Sequence, residues 1–409
     1  MELPLPGTGR NRGNADLPEG AAGRLGRAGV LTLVLLVGAF ASVPFLLSPL
    51  LPDIARGFQR TAAEAAWVVS VFGATLAVAA PLVGLFGGRF SRLFLIRCGL
   101  AVFALGLATA ALAPGFGWLL LALVVTGVGA GMYVPTAYAL VGDHVAMARR
   151  GRVMGQVMAG WGYAIIFGVP LGGWLAHVAG WRWALGMLVV VAGVALLATH
   201  MLPAGQPRSA RHHPVPNLYN LSAAVFLDPG ARLILLVNVC NMIAFYGPYT
   251  YLGTWLRGEL GMGSDGAGLV ILAYGAGLAL STLNSSVLDR WGHRQALYVC
   301  HGGLALGWIA VAMATHPAGA MLALFWVGIL QGAALVAQST LCSHQSEHGR
   351  GAIMAFFTCT TYIGVFAGAS LFAPVFTTSG YLAVTLLAAV LNVLASVILH
   401  MGRDRLRPP

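Results

Sequence analysis

The stretch VLTLVLLVGAFASVPFLLSPLL, residues 30–51, contains no charged side chain and is long enough to cross a bilayer core, which takes roughly 20 helical residues. Eleven more apolar stretches follow, at residues 65–87, 93–113, 118–141, 155–178, 183–202, 231–256, 267–288, 296–315, 319–341, 352–376 and 382–400. No Asp or Glu lies near the centre of any of the twelve. Lipid offers the backbone no hydrogen-bond partner, so segments of this kind must be helices. Strand alternation at barrel period is absent. The expected fold is an all-α membrane protein with twelve transmembrane helices.

Hydrophobic residues make up 58% of the 409-residue chain and charged residues 9%, far from the mix of a soluble domain. A net charge of +11 raises the question of a nucleic-acid partner, and the placement of the charge answers it. If the first helix starts in the cytoplasm, nineteen of the 23 basic residues, all Arg, fall on the inner side; only Arg56, Arg60, Arg182 and Arg257 fall outside. That asymmetry is the positive-inside bias. It predicts a multi-pass protein of the bacterial inner membrane with both termini cytoplasmic, partnered by the bilayer and not by nucleic acid. Residues 1–28, rich in Gly, Pro and Arg, read as a cytoplasmic tail and not as a signal peptide, since the apolar run behind them is too long and ends in no small-residue cleavage site. The five cysteines form no CxxC pair, and no metal-ligand cluster or phosphate-binding Gly-rich loop with Lys is present, so no cofactor, metal or enzymatic activity is expected.

The longest polar interruption divides the spans six and six. The expected units are a six-helix bundle at 29–202, a cytoplasmic linker at 203–229, a second bundle at 230–402 and a short cytoplasmic tail at 403–409. Internal similarity supports the division. Gly84-Leu-Phe-Gly-Gly-Arg89-Phe-Ser-Arg92 after the second span returns as Ser285-Ser-Val-Leu-Asp289-Arg290-Trp-Gly292-His-Arg294 after the eighth. Gly151-Arg152 and Tyr163 of the fifth span likewise echo Gly349-Arg350 and Tyr362 of the eleventh. Two pseudo-symmetric six-helix halves facing each other across a midplane site are how many secondary transporters are built, and they imply alternating access.

The loop Asp289-Arg290-Trp291-Gly292-His293-Arg294 is similar to the signature loop of the major facilitator superfamily, Gly-x-Leu-x-Asp-Arg-x-Gly-Arg-Lys. Gly168-Val169-Pro170-Leu171-Gly172-Gly173, followed by Gly180-Trp181-Arg182-Trp183, resembles the antiporter motif and outer turn of its drug–proton antiporter branch. Leu51-Pro52-Asp53-Ile54 and Tyr249-Thr250-Tyr251-Leu252 resemble arabinose-efflux-like members. The resemblance implies the major facilitator fold over essentially residues 30–401. It implies gating at Arg89, Arg92, Asp289, Arg290 and Arg294, where an acid beside an arginine at a helix end can pair with the facing helix, and an anti-leak role for Gly168, Pro170, Gly172 and Gly173. The chain also departs from the pattern. Gly88 stands where the first loop usually has Asp, Leu123 and Thr126 stand where many antiporters carry Arg and Gln, and the antiporter proline is displaced by one position, at Pro170. With its usual acid missing, Arg89 needs another partner, for which Asp143 is a candidate.

Polar residues deep in the spans mark a substrate site, since a polar side chain facing lipid is costly. The candidates are Tyr133, Trp161, Tyr163, Asn238, Asn241, Tyr246, Tyr249, Gln331, Thr358 and Tyr362. Hydrogen bonding between helices is the alternative for each. As a set they describe a neutral, aromatic, amide-rich cavity in which a charged substrate finds no counter-ion. For proton coupling the best-placed acid is Asp53, after Pro52 at the outer end of the first span. The reading is a proton-linked exporter of small, largely uncharged organic molecules, drug- or sugar-like, working as a monomer. An importer or facilitator, with a metal ion or metal chelate as one candidate cargo, and a non-transporting sensor or assembly factor on the same fold, are the alternatives.

Overall fold

The structure, a computed structural model, describes residues 25–86, 90–145, 147–203, 228–283, 290–345 and 350–406. The opening apolar stretch lies in helix α1 (Arg27–Gly57). Helices α2 (Trp67–Phe86), α3 (Arg92–Ala111) and α4 (Phe116–His144) follow. Helix α5 runs as Met147–Tyr163, a π turn at Ala164–Gly168, and Val169–Ala179; α6 is Trp181–Ala198. The second half begins with α7 (Pro229–Gly258), α8 (Ser264–Leu283), α9 (His293–Ala312) and α10 (Pro317–His344). The last helical stretch, Arg350–Met401, is two helices, α11 and α12, because Gly380 inside it has φ 74° and ψ −175°.

Local chemistry sets these boundaries. The Ser91 hydroxyl accepts from Phe94 N–H at the start of α3, and Asp228 accepts from Gly230 and Ala231 N–H ahead of α7, with Pro229 in the first turn. Before α2, Thr61 and Glu64 form a reciprocal capping box. Glycine makes the two sharpest corners. Gly180 (φ 97°, ψ 159°) separates α5 from α6 and Gly380 separates α11 from α12, conformations that a side chain strongly disfavours. An aromatic residue follows each glycine and turns inward: Trp181 packs on Phe58, and Tyr381 stacks on Trp255 and donates to Pro248 C=O. The two halves thus repeat a corner as well as a loop.

The start of α1 and the end of α12 lie at the same end of the bundle, here the terminal face. Gly29 of α1 sits against Met201 beyond α6, and Gly402 beyond α12 sits against Leu233 of α7. The halves meet along three seams, α1 with α7, α2 with α11, and α5 with α8. Among the described residues, every hydrogen bond between halves lies between the middle of the bundle and the far face. The one nearest the terminal face joins Cys359 Sγ to Ala77 C=O, and the others join Ser70 to Ser370 and α1 to α7. The structure is closed at the far face.

Candidate functional site

The far-face closure is built on α1 and α7. Ser48 donates to Tyr249 C=O at 2.6 Å and accepts from Gly253 N–H at 3.2 Å, while the Tyr249 hydroxyl donates to Phe45 C=O at 3.1 Å. One turn further out, Arg257 of α7 grips Asp53 of α1 with both guanidinium nitrogens, at 2.5 and 2.8 Å, and also reaches Pro49 C=O. The two side chains are 14% and 16% exposed, so this pair crosses between halves in a largely dehydrated place. Arg56, 71% exposed, holds the same carboxylate at 2.5 Å from within α1. Arg56 and Arg257 occupy equivalent positions of the two repeats and share one acid. Sequence reasoning singled out Asp53 but not Arg257; its signal was its place among the few arginines of the far side.

Along the seam between α5 and α8 the antiporter-like glycines divide their work. Gly168 and Gly172 face Ser42 and Leu46 of α1, whereas Pro170 and Gly173 face Gly268 and Ser264 of α8. A methyl group on Gly173 would come within 2.5 Å of Ser264 C=O, closer than real contacts allow. The displaced proline has a physical counterpart here. A π turn accommodates one extra residue in a helix, and the turn at Ala164–Gly168 lies just ahead of Pro170, returning it to the α8 side.

The middle of the bundle is filled with rings. Phe45 contacts Trp161, Phe245, Tyr246, Tyr249 and Tyr274 at centroid distances from 5.2 to 6.5 Å. Phe40 contacts Trp161 at 5.3 Å and Tyr362 at 6.0 Å. Trp161 Nε1 donates to the Tyr138 hydroxyl at 3.2 Å. Four predicted residues, Trp161, Tyr246, Tyr249 and Tyr362, therefore meet around two phenylalanines that a search for polar groups passed over. Tyr249 belongs to the sealed far side of this cluster, and half-buried Trp161 and Tyr138 to its less covered side.

The remaining predicted residues lie elsewhere. Tyr163 is 52% exposed, on a stripe of α5 with Phe167, Leu171, Trp174 and Val178 that faces away from the cluster. Tyr133 is fully buried within the first half, on Phe103, and donates to Leu36 C=O. Asn238 donates to Phe357 C=O, Thr360 and Thr361, tying α7 to α11. Asn241 donates to Asn392 of α12 and accepts from Gln331 of α10, so these amides tie the interior of the second half together. Thr358 is half-buried and bonds back to Met354 C=O. At the terminal face Arg92 pairs with Asp143 at 3.3 Å, the acid that the first repeat's loop lacks. Arg290 and Arg294 are exposed, and Arg89 and Asp289 lie outside the described residues. A groove of about 650 Å³ between α2, α3 and α4 is lined by apolar residues and Thr75, whose hydroxyl is satisfied by Val71; it contains none of the predicted site residues.

Comparison with known proteins agrees with this architecture. The family model described as Major Facilitator Superfamily matches residues 30–369 and 234–408. The chain is 35% identical over 379 residues, 90% of its length and 91% of the relative's, to YwfA of Bacillus subtilis (strain 168), an uncharacterized MFS-type transporter. It is 27% identical over 343 residues, 82% of its length and 86% of the relative's, to a chloramphenicol resistance protein of Streptomyces lividans. Among solved structures, a bacterial homolog of the human lysosomal transporter Spinster, inward-facing and unoccupied, matches with TM-score 0.71 and 17% identity over 92% of this chain and 96% of that one. The human organic anion transporter MFSD10 matches with TM-score 0.70 and 16% identity over 91% and 98%.

Proposed function

From the premise that this chain belongs to the major facilitator superfamily and is a transporter of that family, we propose that it exports uncharged organic compounds by alternating access, driven by proton entry. The observation that carries the reading is the aromatic cluster between the halves, closed toward the far face and containing no Asp, Glu or Arg. Resemblance to a chloramphenicol resistance protein supports export and an uncharged cargo. The arginine bias supports a cytoplasmic terminal face and an outward closed face in a bacterial inner membrane. In that orientation the state described here is the one that receives cargo from inside.

Export requires the far side to open, and the Asp53–Arg257 pair must then part. We assign coupling to Asp53 because opening of the far side would take its Arg257 partner from it. The test uses purified protein in vesicles with an imposed pH gradient, with chloramphenicol as the first cargo offered. Wild type should accumulate it only with the gradient, and Asp53→Asn should abolish gradient-driven accumulation while leaving exchange between preloaded compartments intact. Loss of both activities would leave Asp53 a closing element alone, and gradient-driven movement unchanged in Asp53→Asn would remove it from coupling.

A further inference from the structure

Tyr133, Tyr138, Tyr246, Tyr249, Tyr251, Tyr274, Tyr362 and Tyr381 lie on the spans with their rings buried or half-buried, and they divide by what their hydroxyls do. Tyr133, Tyr249, Tyr251 and Tyr381 donate to the backbone carbonyls of Leu36, Phe45, Ala369 and Pro248. Tyr138, Tyr246, Tyr274 and Tyr362 donate to no group among the described residues. The Tyr138 oxygen accepts from Trp161, which leaves its own proton without an acceptor. The hydroxyls of Tyr246, Tyr274 and Tyr362, on residues only 3%, 1% and 5% exposed, have no hydrogen-bond partner among the described residues, yet they are not among the polar atoms sealed away without one. Each therefore borders open space between the helices.

These four come from four helices, α4, α7, α8 and α11, and so from both halves. They converge: Tyr246 and Tyr274 pack on Phe45, Tyr362 packs on Phe40, and Trp161 touches both phenylalanines and Tyr138. Hydroxyls that border open space and have no protein acceptor are free to donate to whatever occupies that space, so the four together offer converging donors to a bound molecule. No carboxylate is present in the cluster to compete for them or to hold a cation.

We propose that the hydroxyls of Tyr138, Tyr246, Tyr274 and Tyr362 are the hydrogen-bond-donor end of the substrate site. The cargo is then an uncharged aromatic compound carrying a compact acceptor group, such as nitro, carbonyl or sulfonyl, with its ring held by Phe40, Phe45 and Trp161. This rests on the transporter reading above and names the substrate class of the same site. A site built to hydrogen-bond a ligand discriminates strongly against an analogue without the matching group, because its polar groups are then left unpaired. Since the hydroxyls are divided between the halves, cargo held by all four also ties the halves together at the midplane.

Binding by calorimetry on the purified full-length protein, with no transport needed, tests the site. The probes are 4-nitrobenzyl alcohol, 4-isopropylbenzyl alcohol, which has nearly the same shape but no acceptor at the para position, and tetraphenylphosphonium. The nitro compound should bind about tenfold more tightly than the isopropyl compound, the value of one or two neutral hydrogen bonds. In the double variant Tyr138→Phe, Tyr362→Phe, which keeps both rings, that preference should fall to within about threefold, while Trp161→Ala should weaken both compounds alike. Equal binding of the two alcohols by wild type, no binding of either, an undiminished preference in the double variant, or tighter binding of tetraphenylphosphonium would each overturn the proposal. Binding with the expected preference but without transport would instead sink the exporter reading and leave the donor site standing.

Discussion

At the scale of single residues, two of the ion pairs of this transporter are unequal in weight. Arg92 and Asp143 are each about 30% exposed and meet at one nitrogen, so their pair contributes at most about 1 kcal/mol. Arg257 and Asp53 meet at both nitrogens in a drier place and join the two halves, where charge-assisted bonds are worth about 1.5–3 kcal/mol. Arg257→Gln should therefore shift the balance toward the far-open state by at least about tenfold. Labelling of a cysteine at Ser48 by an impermeant maleimide from the far side should quicken accordingly. Arg56→Gln should barely change it, since Arg56 stays on α1 with Asp53 whether the halves are together or apart. Equal labelling rates in the three proteins would deny the cross-half pair any part in closure.

At the scale of helices, the single residues that matter are those where backbone geometry leaves no choice. Gly380→Ala forces a side chain onto φ 74°, which costs about 1–3 kcal/mol, and should lower the unfolding midpoint measurably. Gly302→Ala, on α9 with open space around it, is the matched control and should leave the midpoint within error. The amides of the second half form another kind of joint. Asn241→Leu would strand Gln331 and Asn392, each left with an unmet bond, so stability should fall by about 1–3 kcal/mol while affinity for cargo changes little. A large loss of affinity with unchanged stability would return Asn241 to the substrate site. The π turn in α5 belongs at this scale too, since it reconciles a proline one position out of register with a seam that still closes against Gly268.

At the scale of the whole molecule, the three seams must separate together if the far face is to open, because Ser48–Tyr249, Ser70–Ser370 and Gly173–Ser264 all lie on that side of the midplane. Spin labels at Ala63, beside α2, and Thr378, at the far end of α11, should report one short distance in resting protein. A second, longer distance should grow when cargo and a pH gradient are both supplied; a single distance under every condition would mean that the halves do not rock. The hydropathy pattern alone determined that the chain is a helical bundle of twelve spans, since an uncharged run of bilayer length has no other way to satisfy its backbone. The repeated loop in turn determined that it is built as two halves, and the arginines of residues 89–97 and 290–294 follow from that plan. Which polar residues turn toward the space between the halves was not legible, because depth in the membrane is one coordinate and direction around the helix is another. Asn238, Asn241 and Gln331 sit at the right depth, yet turn into their own half. Tyr163 and Trp161 are two residues apart and so point nearly opposite ways, one to the bundle's surface and one to Phe40 and Phe45. Only the tertiary structure decided that Asp53 meets Arg257, about two hundred residues away in the chain, because that pairing depends on how two bundles lie against each other.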